Sequence, residues 1–179
     1  MLTKENTALV VIDIQGKLAQ LMHQKEAVYQ NVNRLIEGAK VLDIPIIWTE
    51  QYPEGLGGTI PEVAATLEGV KPIPKMTFSC CQNDEFLTAL KATGRQQILI
   101  TGIETHICVY QTTVELLEAG FEVEVVADAV SSRTPENKAL GLDKMKTAGA
   151  GITGTETALY ELLKVASGPE FKQILKIVK

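Results

Sequence analysis

The sequence predicts an α/β layer sandwich, Rossmann-like in its plan, on three observations. Apolar β-rich runs alternate with stretches of helical period from one end of the chain to the other. The runs are near-continuously aliphatic, as strands buried on both faces are. No internal repeat, low-complexity tract or linker interrupts them, and 179 residues suit one domain, here residues 1–179. Strands alternating with helices imply βαβ units, right-handed crossovers and a parallel sheet covered on both sides.

In chain order, TALVVIDIQ (7–15) reads as a buried strand ending in an acid. Val28, Val32, Leu35, Ile36, Ala39 and Leu42 then share one helical face. IPIIWTE (44–50) is the second strand, with Pro45 near its start, where a missing N–H is tolerated. The glycine-rich YPEGLGGTIPE reads as a loop, and KPIPKMTFS (71–79) as a short third strand. Asn83 or Asp84 caps a helix carrying Phe86, Leu87 and Leu90. QILITGI (97–103) is strand four. The helix after it places Ile107, Tyr110, Val114 and Leu117 on one face and stops at Gly120. FEVEVVADAV (121–130) is strand five. Thr134 followed by Pro135 marks the start of a helix holding Leu142 and Met145. AGAGITGTE supplies a last short strand, and two helix patterns close the chain, the second putting Phe171, Ile174, Leu175 and Val178 on one face.

The bulk numbers exclude several classes. A hydrophobic fraction of 45% with 22% charged residues is ordinary globular composition. A formal charge of −5 and a pI near 5.1 argue against nucleic acid or an anionic membrane as partner. No apolar run approaches the roughly 20 residues of a spanning helix. MLTKENTALVVID lacks the features of a signal peptide, and the odd set Cys80, Cys81 and Cys108 suits free thiols in a reducing cytoplasm.

In an open α/β sheet, ligands bind beyond the carboxyl ends of the strands, near the point where strand order reverses. Asp13 closes strand one, Lys75 lies on the third strand segment, and Cys108 begins the helix after strand four. Taken singly, each has a structural reading: a turn-forming acid, a solvated lysine, a core cysteine. Taken together they suit nucleophilic catalysis. A helix N-terminus and a nearby ammonium lower a thiol pKa, and a carboxylate can take the thiol proton and pass it to a leaving group. First-turn N–H groups around Cys108 suit a developing oxyanion.

VIDIQ, the proline-flanked KPIPKMTFS and GIETHICV (102–109) together resemble the isochorismatase-like cysteine hydrolase superfamily. VVADAVSSRTPENKALGLDKMKTAGA and GPEFKQILKIVK are similar to its isochorismatase domain-containing subgroup. The resemblance spans essentially the whole chain. It implies a six-stranded parallel sheet of order 3-2-1-4-5-6 and an Asp–Lys–Cys triad falling on Asp13, Lys75 and Cys108. It also implies a cis peptide between Ile103 and Glu104, and an oxyanion hole from the N–H groups of Glu104 and Cys108. Oligomers are usual in that superfamily, so a homo-oligomer, a dimer or larger, is expected.

Members similar to nicotinamidases hold a divalent metal with an Asp/His/His cluster after the second strand. The corresponding WTEQYPEGLGGT has no histidine, and His23 and His106 lie in separate segments, so no metal and no other cofactor is expected. Gln15, Tyr52, Phe78 and Ile107 are candidates to line a pocket for a small-molecule substrate, with Gln15 equally able to serve as a helix-start residue. The 51–60 loop is a lid or an interface element. His106 is expected to be structural, and Cys80 and Cys81 to be reduced. The leading expectation is a metal-independent hydrolase acting through a thioester on a small amide or carbamoyl compound. Its rivals are vinyl-ether hydrolysis of an isochorismate-like acid, which needs no thiol, and a non-catalytic binding protein on the same fold. A flavodoxin-like nucleotide binder is disfavoured, since no glycine-rich phosphate fingerprint follows strand one.

Overall fold

A computed structural model describes residues 1–179. Six strands form one parallel sheet: β1 (Thr7–Ile12), β2 (Ile46–Gln51), β3 (Pro72–Lys75), β4 (Gln97–Ile103), β5 (Glu122–Ser131) and β6 (Gly151–Thr153). Their order across the sheet is β3-β2-β1-β4-β5-β6, as the resemblance implied. The order reverses between β1 and β4, so the loops after these two strands face each other across the crevice where such sheets bind ligands.

The helices are α1 (Gly16–Gln20), α2 (Lys25–Val41), α3 (Pro53–Leu56), α4 (Pro61–Ala64), α5 (Asp84–Ala92), α6 (Tyr110–Glu118), α7 (Pro135–Thr147), α8 (Thr155–Leu163) and α9 (Gly168–Val178). None is long and apolar enough to cross a membrane. All six residues of β1 are buried, and their alternation feeds two cores. Leu9 and Val11 join α2, α4, α8 and α9 on one face. Ala8, Val10 and Ile12 join Phe86, Leu90, Leu116 and Met145 from α5, α6 and α7 on the other. Each such fully buried side chain contributes about 2 kcal/mol by removal of apolar surface from water. The apolar stripe of α9 packs on its own domain, where Ile174 is fully buried.

Local signals place the helix starts as expected. Asn83 accepts from Phe86 N–H at 2.9 Å, and Thr134 accepts from Asn137 N–H at 3.2 Å with Pro135 in the first turn. The strand limits move: β1 ends at Ile12, before Asp13, and β3 ends on Lys75, with 76–79 turning away. The helix after β4 departs most. Thr105–Val109 is a π-helical turn and α6 begins only at Tyr110. The wider turn shifts the inward face, so Val109, Thr112, Thr113 and Leu116 are buried, while Ile107, Tyr110, Val114 and Leu117 are half-buried.

Two close approaches at the site need glycine. Gly102 in β4 has φ +126°, and a Cβ there would stand 2.1 Å from the Ile12 carbonyl oxygen. Gly141 lets α7 lie against the π-turn, where a Cβ would come within 2.8 Å of the Thr105 carbonyl.

Candidate active site

Asp13 is the first residue past β1, held at φ +52°, a left-handed conformation that aspartate tolerates better than most side chains. Its carboxylate is buried and bonded on both oxygens. Thr49 from β2, the strand beside β1, donates its hydroxyl to Oδ1 at 2.8 Å, and Lys75 donates to Oδ2 at 2.6 Å. Lys75 ends β3 in register with Gln51, so its side chain reaches under β2 toward β1. Its Nζ also donates to Gln51 Oε1 at 2.7 Å and to the carbonyls of Thr77 and Phe78, both at 3.1 Å. Four acceptors surround three N–H bonds, so the ammonium is fully engaged by the protein.

Cys108 sits inside the π-turn after β4. The Glu104 carbonyl accepts from Ile107 N–H at 3.0 Å and from Val109 N–H at 3.3 Å. The Ile103–Glu104 peptide is cis. Glu104 itself is buried, and its Oε2 accepts from the backbone N–H and the Nε of Arg133 at 3.1 and 3.2 Å. His106 fixes the far side of the turn, its Nδ1 lying 2.9 Å from Ser132 Oγ.

Asp13 and Cys108 open into one cavity of about 130 Å³, whose other walls are Gln15, Leu18, Gln51, Leu56, Phe78, Glu104 and Ile107. Lys75 does not line it. The structure thus brings Asp13, Lys75 and Cys108 together in two ranks: carboxylate and thiol at the cavity wall, ammonium behind the carboxylate.

The electrostatics differ from the expected activated thiolate. Burial raises the Cys108 thiol well above its ordinary value; the Asp13 charge adds to this, and Lys75 opposes both with less effect. The Lys75 ammonium is bonded to Asp13 and lowers the thiol from there. Burial likewise raises the Asp13 carboxyl, against the lowering pull of Lys75, Thr49 and the Cys108 thiol. Burial thus disfavours charge on the thiol and on the carboxyl alike, and the Lys75 ammonium opposes it at both.

The pocket candidates divide. Phe78 and Ile107 line the cavity. Gln15 lines it too, but its amide is committed: Nε2 donates to the carbonyls of Gln51 at 2.9 Å and Gly57 at 2.7 Å, and Oε1 accepts from Gln51 N–H. Gln15 straps the 51–59 loop and has no N–H left to donate to a substrate. Tyr52 is a correction. It stands at φ +37° before α3, half-exposed, on a separate groove with Glu54, Met76 and Gln82 on the far side of Lys75. Its ring lies against Gly55 of α3, and the residue does not line the cavity. Trp48 is a core residue that donates its indole N–H to Thr59 Oγ1 at 2.8 Å.

The sequence reading missed Thr49, Gln51, Leu18 and Leu56. Thr49 and Gln51 carry the alternation of β2 two and four residues beyond the core residue Ile47, a strand-end position next to Asp13 that could have flagged them. All three cysteines are free. Burial raises Cys80 to about 11 and Cys81 to about 12, so both are protonated, inert thiols.

The model of the isochorismatase domain matches residues 7–157. Isochorismatase domain-containing protein 2 of Danio rerio is 39% identical over 178 residues, covering 99% of this chain and 89% of that protein. Among solved structures, the MAR1 ribonuclease of Caenorhabditis elegans superposes with a TM-score of 0.93 at 39% identity, over 99% of this chain and 91% of that one. YcaC has been solved from two bacteria. The Pseudomonas aeruginosa protein, carrying covalent acrylamide, gives a TM-score of 0.91 at 28% identity over 98% of this chain and 90% of its own. The Escherichia coli protein, an octameric hydrolase of unknown specificity, gives 0.92 at 27% over 98% and 88%.

Proposed function

The chain belongs to the isochorismatase family, and from that premise we propose that it is a hydrolase of small amides or carbamoyl compounds that works through a thioester on Cys108. The observation that carries this reading is the buried Asp13–Lys75 pair at 2.6 Å, set beside a cysteine that lines an apolar cavity. A buried ion pair is a costly feature that a merely structural crevice does not need.

Burial disfavours a free thiolate, so in this reading attack and proton transfer are coupled. Cys108 sulfur bonds to the substrate carbonyl carbon as Asp13 takes the thiol proton. The oxyanion is held by the N–H groups of Glu104 and Cys108. Asp13 returns the proton to the nitrogen, the C–N bond breaks, and ammonia or an amine leaves a thioester. Asp13 then deprotonates water, which attacks the thioester carbon, and the C–S bond breaks as Cys108 recovers the proton and the acid departs. Lys75 touches no reacting atom; it orients Asp13 and keeps it ionised between proton transfers. The covalent acrylamide carried by the Pseudomonas relative supports a reactive nucleophile on this scaffold.

Incubation with primary amides, with ammonia release and the mass of the intact protein followed together, tests the reading. Cys108→Ala abolishes turnover and any acyl adduct. Vinyl-ether hydrolysis, which uses no thiol, survives that change, so full activity on an isochorismate-like acid in Cys108→Ala overturns the acyl mechanism. Phosphodiester cleavage is the second reading, raised by the name of the Caenorhabditis relative. A net charge of −5 and a 130 Å³ cavity set it behind, because a polynucleotide needs a basic track. RNA cleavage lost on Asp13→Asn would promote it.

We place the chain in a homo-oligomer, supported by the octameric Escherichia relative, with light scattering as the check. Three free thiols suit a reducing compartment such as the cytoplasm.

A further inference from the structure

Resting on the covalent reading above, we propose that the cavity admits short, uncharged, apolar acyl groups and rejects acyl groups that carry a carboxylate.

The walls carry the argument. Leu18, Leu56, Phe78 and Ile107 supply apolar surface on the side facing the thiol, and no lysine or arginine lines the space. Lys75 Nζ is enclosed by Asp13, Gln51 and two carbonyls, and Arg133, whose Nε–H is bonded to Glu104, does not line the cavity. The amide of Gln15, the one neutral donor that could turn toward an anion, is held by the Gln51 and Gly57 carbonyls. Gln51 is held in the same way: its Oε1 accepts from Lys75, and its Nε2 donates to the Met76 carbonyl at 2.8 Å. An entering carboxylate would lose its hydration and find no free donor among these side chains. It would also meet the Asp13 carboxylate beside the thiol.

Size gives the second limit. An apolar cavity of about 150 Å³ accommodates benzene, with six non-hydrogen atoms. The 130 Å³ here therefore takes an acyl group of about five. The mouth is apolar as well: Leu56 and Phe78 are 42% and 56% exposed while lining the cavity.

Two alkylating probes of near-equal size read the charge selectivity without relying on turnover: neutral iodoacetamide and anionic iodoacetate. Their rate ratio on Cys108, followed by peptide mass spectrometry, is divided by the ratio on glutathione, so that the intrinsic reactivity of the reagents cancels. The expected ratio favours iodoacetamide at least about tenfold beyond glutathione. Leu56→Lys, a change at a partly exposed rim position, is expected to narrow that preference several-fold. A ratio equal to that of glutathione overturns the proposal. The substrate arm compares butyramide with oxamate, whose acyl groups each have five non-hydrogen atoms and of which only the second carries a carboxylate. Hydrolysis of both at similar rates leaves the hydrolase reading standing and overturns the selectivity. Alkylation selectivity with neither amide hydrolysed upholds the cavity's preference and removes the hydrolase reading.

Discussion

Lys75 Nζ stands 2.6 Å from Asp13 Oδ2, although the two residues leave strands separated by β2 and by 62 positions in sequence. Both side chains are almost wholly buried, at 0% and 2% exposure, so solvent screens neither. The pair holds only because each group has further partners: Thr49 on the carboxylate, and Gln51 with two carbonyls on the ammonium. A lone charge at either position would be intolerable there.

Removing the cation therefore destabilises the fold as well as the chemistry. Lys75→Met leaves a buried carboxylate uncompensated, with an expected loss of about 3–5 kcal/mol in urea unfolding. Lys75→Met with Asp13→Asn, which removes the orphaned charge and keeps a residue that tolerates φ +52°, should recover much of that loss while remaining inactive. Equal stability of the wild type and Lys75→Met would show that the pair does not carry this part of the fold.

The Cys108 thiol should titrate above a free cysteine. Burial and the Asp13 charge both disfavour the thiolate, which leaves the neutral thiol dominant at neutral pH. The thiolate absorbance near 240 nm, taken as the difference from Cys108→Ser, should rise only in the alkaline range. Asp13→Asn removes the like charge and the hydrogen-bond acceptor, so the titration moves down while hydrolysis is lost. A downward shift of the thiol with a loss of rate is the signature of a base that acts during attack. A thiolate already formed in the wild type below pH 8 would point to the preformed ion pair instead.

The sequence made the placement of the site legible and its working less so. Asp13, Lys75 and Cys108 could be found because each follows or ends an aliphatic run, and strand ends are where an α/β sheet puts its chemistry. The six-stranded order and the cis peptide came from resemblance, with nothing in local propensity to signal either. The contact of Lys75 with Asp13 was not legible in the same way, because it depends on three strands in register. The inward face of α6 was misread for a local reason: one π-turn over Thr105–Val109 breaks the 3.6-residue count. Tyr52 was misplaced because a left-handed residue before Pro53 redirects the chain, and no periodicity reports that.

Thr49 is a positioning residue that the pattern of β2 hides among buried positions. Its hydroxyl fixes Oδ1 of Asp13 at 2.8 Å and lies 3.8 Å from Cys80 Sγ. Thr49→Val keeps the shape and removes that bond. The expected result is a folded protein with kcat lowered about tenfold, KM little changed, and the acidic limb of the pH–rate profile moved upward, because the carboxylate loses a donor that favours its charged form. Thr49→Ser, which keeps the hydroxyl, should restore most of the rate. If Val and Ser variants behave alike, the bond has no part in holding the base.

Gly102 sets the distance between the two strands that carry Asp13 and Cys108. It pairs with Ile12, and its missing side chain lets β4 approach to where a Cβ would lie 2.1 Å from the Ile12 carbonyl and 2.6 Å from its nitrogen. Gly102→Ala must push against backbone and hold alanine at φ +126°, a conformation reserved for glycine. The expected loss is above about 3 kcal/mol, with little soluble protein recovered. Gly120→Ala is the control: its φ is also positive, at +89°, but nothing lies within 4 Å of the added atom, so it suffers the conformational penalty alone, about 1 kcal/mol. A similar cost for the two variants would mean that crowding against Ile12 contributes nothing, and that the crevice width is set elsewhere.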